Sequence, residues 1–195
     1  MQLPERCYDM DIANSLLAVA TAERKVCIID LNNPTTIFKT VDTTLKWQTR
    51  SIACFPDAKG VAIGTIEGRS SIINIDTNDQ SLNFTFKCHR VDNKVYAVNA
   101  IDFHPSYGTL VTCGNDCTYS IWDKNAKQRL KSATNVGAPI TCCAFSPNGQ
   151  YLAYGVGYDW SQGFEHAKNV KNAVYLNRVN DSEVKPKPKT GMLRR

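Results

Sequence analysis

Apolar residues in this chain come in short runs, and the runs alternate with polar residues rather than following a helical stripe. CYDMD, SIACFPD, AIDFHPS and TCCAFSPNG each begin as a strand and break at Asp, Ser or Asn, three of them beside a Pro; VCIIDL, SSIINID and YSIWD follow at a fixed distance. Period-two runs bounded by Gly, Asn, Asp and Pro predict β-strands joined by tight turns. No 3.6-residue period persists long enough to predict a substantial helix.

The strands are copies of one unit. Thr21-Ala22-Glu23, Thr65-Ile66-Glu67, Gly114-Asn115-Asp116 and Gly157-Tyr158-Asp159 each follow a short apolar run, and their acids are 44, 49 and 43 residues apart. Met10, Phe55, Phe103 and Phe145 precede these acids by 13, 12, 13 and 14 residues, and Glu23 to Asp30 repeats the seven-residue step from Asp116 to Asp123. A period of this size with three or four short strands per unit and an IWD at a strand end is the sequence form of a WD-repeat β-propeller. The fold expected is therefore all-β, a partial propeller over 1–184 with repeats at about 4–47, 48–96, 97–136 and 137–184. In such blades the turn acids accept hydrogen bonds that hold the turn, so Glu23, Glu67, Asp116 and Asp159 are read as structural. Four blades do not close a ring of seven, and an open arc exposes strand edges. The expectation is of a truncated form or a gene model lacking its first blades.

Composition changes this picture little. The hydrophobic fraction of 43% and charged fraction of 21% are those of a soluble globular domain. No apolar run approaches the ~18 residues that a membrane helix needs, and no signal peptide is evident, which favours an intracellular protein without a membrane partner. The eight cysteines fall mostly in apolar strand-like runs, as small hydrophobes do; Cys113 with Cys117 is a loose pair, and no zinc-like spacing or cofactor motif is present, so no metal and no cofactor are expected. The charge is more informative. Lys185, Lys187, Lys189, Arg194 and Arg195 carry the whole net excess of +5. Pro186 and Pro188 bar regular structure there, which predicts a disordered basic tail over 185–195 that either solubilises the chain or attracts phosphate.

LPERCYDMD, ATAER, TIEGR, NFTFKCHR, YAVNAIDFHPSYGTLVTCGNDCTYSIWDK and GYDWSQGFEH, in this order and spacing, resemble the C-terminal part of the nuclear-pore mRNA export factor family, the WD-repeat proteins of Rae/Gle type. IEGR and FKCHR also occur in a sister family, the mitotic-checkpoint WD-repeat proteins that bind budding-inhibition kinases; YDWSQG and WDKNAKQRLK favour the export factors. The resemblance implies a seven-bladed ring, no catalysis, a location at the nucleus and nuclear pore with shuttling to the cytoplasm, and a docking surface for a nucleoporin segment called the GLEBS motif. That segment presents glutamates to paired arginines, and Arg69 and Arg90 stand at the matching positions. A guanidinium fork suits a carboxylate as no ammonium can.

The resemblance further implies a groove for single-stranded RNA, the messenger ribonucleoprotein's part in the partnership. The matching residues are Arg69, Phe86, Lys87, Trp122, Asp123, Lys124, Lys127 and Arg129; at Lys127 and Arg129 the cation is kept while its type differs from the family pattern. Aromatic rings that stack on bases and cations that follow phosphate are the usual combination for a single strand. Each residue has a plainer role as well. Trp122 is the signature aromatic of a blade, Phe86 ends an alternating run, and Lys124, Lys127 and Arg129 would serve as a solvated turn.

The function expected is a non-enzymatic adaptor in mRNA export. The alternative is a spindle-checkpoint adaptor that uses the same arginines on kinase segments and needs no RNA. A propeller enzyme is disfavoured, because His89, His104 and His166 are the only histidines available as general bases and no nucleophile–base pair or G-x-S-x-G elbow appears.

Overall fold

In the computed structural model, which describes residues 1–75, 80–167 and 172–187, the chain is almost entirely strand and turn. The first sheet holds β1 (Cys7–Ala13), β2 (Leu16–Thr21), β3 (Lys25–Asp30) and β4 (Lys39–Asp42). The second holds β5 (Thr49–Cys54), β6 (Gly60–Thr65), β7 (Arg69–Asn74) and β8 (Phe84–Lys87). A small hairpin, β9 (Arg90–Val91) and β10 (Lys94–Val95), leads to the third sheet of β11 (Val98–Phe103), β12 (Leu110–Gly114), β13 (Tyr119–Asp123) and β14 (Gln128–Ser132). The fourth contains β15 (Ile140–Phe145), β16 (Tyr151–Val156) and β17 (Ala173–Arg178), followed by one short helix, α1 (Asp181–Val184). All pairings are antiparallel between sequence neighbours, the meander of a propeller blade.

Three apolar layers lie between the four sheets. Val61 and Ile63 of β6 join Ala18, Ala20, Val26 and Ile28 of the first sheet, while their neighbour Ala62 joins Phe55, Ile101, Phe103 and Leu110 on the other side. Val111 and Cys113 of β12 face Leu152, Tyr154 and Val156 of the fourth sheet. A strand buried on both faces must be apolar at odd and even positions alike, which is why β6 reads GVAIGT without alternation. Cys54, Cys88 and Cys113 are buried in these layers, Cys27 is buried on the other face of the first sheet with Val19 and Ile29, and burial pushes the Cys54 and Cys88 thiols up to about 12. Cys7 and Cys142 are instead exposed, and every cysteine is a free thiol.

The inner strands carry the same irregularity four times. A register shift separates Cys7 from Asp9, Thr49 from Ser51, Val98 from Ala100 and Ile140 from Cys142. Next to it, polar side chains tie each blade to the following one. Asp9 and Asp11 accept the Ile52 and Cys54 amides at 2.8 and 2.7 Å, Ser51 donates to the Val98 carbonyl at 3.0 Å, and Asp102 accepts the Phe145 amide. Burial raises the Asp9 and Asp102 carboxyls above the usual range, against the opposing pull of these amides.

Blade three is locked by a buried polar chain. Trp122 Nε1 donates to Thr112 Oγ1 at 2.9 Å, Thr112 Oγ1 meets His89 Nε2 at 2.9 Å, and His89 Nδ1 meets Asp116 Oδ1 at 2.9 Å. Thr118 adds its amide and hydroxyl to the same carboxylate. With His89 donating from Nδ1 and accepting at Nε2, every member is satisfied. Gly114 makes room for it, since a Cβ there would lie 2.3 Å from His89 Nδ1. Burial works to raise the Asp116 carboxyl, but the His89 and Thr118 bonds outweigh it and hold it below its ordinary 3.8.

Two outcomes follow from these contacts. His89→Ala leaves the Thr112 hydroxyl without its acceptor and takes the imidazole bond from Asp116, and should cost about 3 kcal/mol in chemical denaturation. Because the folded Asp116 titrates below its unfolded value of 3.8, its contribution is complete above that pH and is lost as pH falls through the folded value. The stability gap between wild type and Asp116→Asn should therefore narrow only below about pH 3.8, as read from melts across pH 2 to 7. The second concerns the ends of the arc, where Met10 and Ile12 are 60% and 57% exposed and Val174 and Leu176 are 82% and 66% exposed. Uncovered apolar faces of sheets pair with other chains. The chain expressed alone should self-associate in light scattering, and Ile12→Lys with Leu176→Lys should reduce it; a monodisperse wild type would show those faces to be harmless.

Candidate functional site

Two short turns build the first cluster. Gly68, at φ +63°, closes the turn between β6 and β7, and a Cβ there would sit 2.8 Å from the His89 carbonyl. Glu67 and Arg69 therefore flank a glycine packed directly against the backbone that carries Arg90. Arg69 Nε lies 3.6 Å and Arg90 Nη2 3.8 Å from Glu67 Oε2. Arg90 is also held by backbone: Nη2 donates to the Glu67 carbonyl at 2.7 Å and Nε to the Gly68 carbonyl at 3.2 Å. No hydrogen bond fixes the Arg69 guanidinium among the described residues. The two arginines are thus brought together, with side chains 32% and 27% exposed, around one shared carboxylate. His89 and Cys88, which share their turn with Arg90, point inward: His89 is consumed by the blade-three lock and Cys88 is packed against Ser70.

Lys87 is the cross-strand partner of Arg69, so the two share a face of their sheet. Phe86 is on the opposite face, as neighbours on a strand must be. It packs against Trp122 with ring centroids 4.8 Å apart, and both belong to the layer between blades two and three. The RNA residues expected from the sequence thus divide into two groups. Arg69 and Lys87 stand at the end of blade two that bears the β6–β7 turn. Lys124 and Lys127 stand at the opposite end, in the turn between β13 and β14.

That second end has a groove of about 280 Å³ lined by Phe84, Phe86, Leu110, Trp122, Lys124 and Lys127. Within it Lys127 Nζ lies 4.7 Å from the Phe84 centroid; Lys124 Nζ is 4.4 Å from the centroid of the buried Phe55, and Arg129, which does not line the groove, is 5.8 Å from that of Trp122. Burial lowers the Lys124 ammonium from its usual range, while Asp57 and Asp123 pull it back up. Asp123, expected among the RNA residues, holds the turn beside the groove. It is 4% exposed, and its Oδ1 accepts the Asn125 and Ala126 amides at 2.8 and 3.0 Å, which sets the turn that presents Lys124 and Lys127. Trp122 spends its N–H on Thr112, and its ring lines the groove.

Phe84 is the groove residue that the sequence reading passed over. Its signal lay in the alternation of FTFK, which puts Phe84 and Phe86 on one face. Of the three histidines, His89 and His104 are spent on structure: His104 accepts the Ser106 and Tyr107 amides at Nδ1 and donates from Nε2 to the Gly149 carbonyl. Burial lowers its pKa, in keeping with a neutral ring. His166 lies exposed in the 158–167 loop, bonded through Nδ1 to the Gln162 carbonyl. Among the described residues no cluster of His, Cys, Asp or Glu could hold a metal, and no helix is long and apolar enough to cross a membrane. Of the basic tail only Lys185, Pro186 and Lys187 belong to the described residues; Lys189, Arg194 and Arg195 lie outside them.

Comparison with known proteins places these features. The family described as "WD domain, G-beta repeat" matches residues 80–123 and 129–161. The "Poly(A)+ RNA export protein" of Schizosaccharomyces pombe is 50% identical over 98% of this chain and 56% of its own length. "Protein RAE1" of Arabidopsis thaliana is 43% identical over 97% of this chain and 55% of its own length, and "mRNA export factor GLE2" of Chaetomium thermophilum is 47% identical over 96% and 54%. The chain spans about half the length of the curated relatives it matches. Among solved structures, a chain of hydrazine synthase from Kuenenia stuttgartiensis superposes with a TM-score of 0.71 at 13% identity, covering 88% of this chain and 46% of that one, a likeness of fold alone.

Proposed function

We propose, from the premise that this chain belongs to the Rae/Gle-type WD-repeat family, that it is a non-enzymatic adaptor in mRNA export at the nuclear pore. It docks an acidic GLEBS-type nucleoporin segment at Arg69 and Arg90 and holds single-stranded RNA in the groove between blades two and three. The observation that carries the reading is the convergence of the two arginines from separate turns, with Arg90 pinned by carbonyls and the outer donors of both left for a ligand. A carboxylate reaching them exchanges water for charge-assisted bonds at a half-buried site, where screening is weak. In the groove, Phe84, Phe86 and Trp122 offer faces for bases, and Lys124, Lys127 and Arg129 offer charge for phosphates.

Arg69→Ala and Arg90→Ala should each weaken binding of a GLEBS-type peptide by about 1.5 to 3 kcal/mol in calorimetry, with Lys replacements restoring only part. Wild-type affinity in both alanine variants would remove the assignment. Peptides from nucleoporin and kinase sources, run side by side, distinguish the export adaptor from the spindle one. RNA affinity, by fluorescence anisotropy on a poly-purine strand, should fall with salt at a log–log slope of about −0.7 per phosphate neutralised. Lys124→Glu with Lys127→Glu should flatten that slope. An unchanged slope would assign the phosphate contacts to the tail instead.

A further inference from the structure

Glu67 occupies the position of the turn acid, yet it does not do what Asp116 does in the next blade. Asp116 is bound by His89, which reaches Thr112 and Trp122 beyond. The positions in blade two that correspond to Thr112 and Trp122 are Ile63 and Ile73, both buried and apolar. Glu67 accepts no side-chain hydrogen bond among the described residues. Its carboxylate is 16% exposed and faces Arg69 and Arg90.

The charge count of this triad is fixed: two guanidinium groups against one carboxylate, a net of one positive charge. Lys87 stands beside Arg69 on the neighbouring strand but is exposed, so its charge is screened by solvent. One further carboxylate neutralises the triad. A phosphate monoester, with a charge of about −2, overshoots it and sets its second charge against Glu67 in a site with little water.

We propose that Glu67 is a specificity-determining residue of the arginine site, admitting a single ligand carboxylate and selecting against doubly charged anions such as phosphoserine. The inference rests on the peptide-docking reading above. Arg90 is held by the carbonyls of Glu67 and Gly68 rather than by the Glu67 carboxylate, so Glu67→Gln removes the charge and leaves Arg90 anchored.

The test uses the full chain and three acidic peptides that differ only at one central position, occupied by Glu, phosphoserine or Gln, with affinities from calorimetry. The wild type is expected to prefer the Glu peptide to the phosphoserine peptide. In Glu67→Gln the phosphoserine peptide should gain about tenfold or more and overtake the Glu peptide, while Glu67→Asp, which keeps the charge, retains the wild-type order. Equal gains for Glu and phosphoserine would make Glu67 a plain competitor and overturn the proposal. Loss of both, or no change in either, would overturn it as well, and so would a reversed order in Glu67→Asp. The docking reading fails separately, if none of the three peptides binds the wild type or if Arg69→Ala leaves binding intact.

Discussion

The hydrogen-bonded chain from Trp122 through Thr112 and His89 to Asp116 is the constraint on which the geometry of both sites depends. It is buried between blades, where an unmet donor or acceptor is costly, so its members fix one another's positions. His89 precedes Arg90 by one residue, and holding the imidazole inward turns the next side chain outward beside Gly68. Trp122 is the other end of the same chain, and its ring forms the wall on which Phe86 rests and over which Arg129 lies. A network whose job is to close a blade therefore aims an arginine at one end and an aromatic surface at the other.

Blade two shows what happens where that network is missing. The positions that match Thr112 and Trp122 are Ile63 and Ile73, so apolar area stands there in place of the polar lock, with β6 buried at every position. The acid that would have completed a lock is left half-buried facing Arg69 and Arg90. A repeat protein can lose a polar lock in one unit, because neighbouring units share their interfaces. The freed residue is then available for recognition.

Much of the fold was legible because period-two runs and a recurring acid survive in sequence whatever their surroundings. The bulge at the start of each inner strand was not, since nothing in Tyr8, Arg50, Asn99 or Thr141 distinguishes a residue that bulges from one that pairs. Met10 matched Phe55 and Phe103 in spacing, yet it is 60% exposed where they are buried, because its burial depends on a facing sheet rather than on its own strand. The arginine pair was legible through resemblance, whereas its sharing of Glu67 was not, since sequence does not say which of several charges a turn will bring within 4 Å. Nothing local to KCHR shows that its histidine is spent on structure. Its partners, Thr112 and Asp116, lie 23 and 27 residues away, beyond the reach of local pattern.

The division of the cations has its own consequence. Arg69 pairs with Lys87 and Ile72 with Phe84, so the arginine cluster and the Phe84 end of the aromatic groove, where Lys127 sits, are three residues apart along β8, about 10 Å at the rise of an extended strand, with Phe86 between them. They also face opposite sides of that strand. At ordinary ionic strength this separation equals about one screening length, so charge bound at one site changes the field at the other only weakly. Two anionic ligands of the kinds proposed could then be held on adjoining blades without repelling each other strongly. The arrangement follows from strand geometry, since one edge strand, β8, supplies a cation at one end and two aromatic rings on its far face.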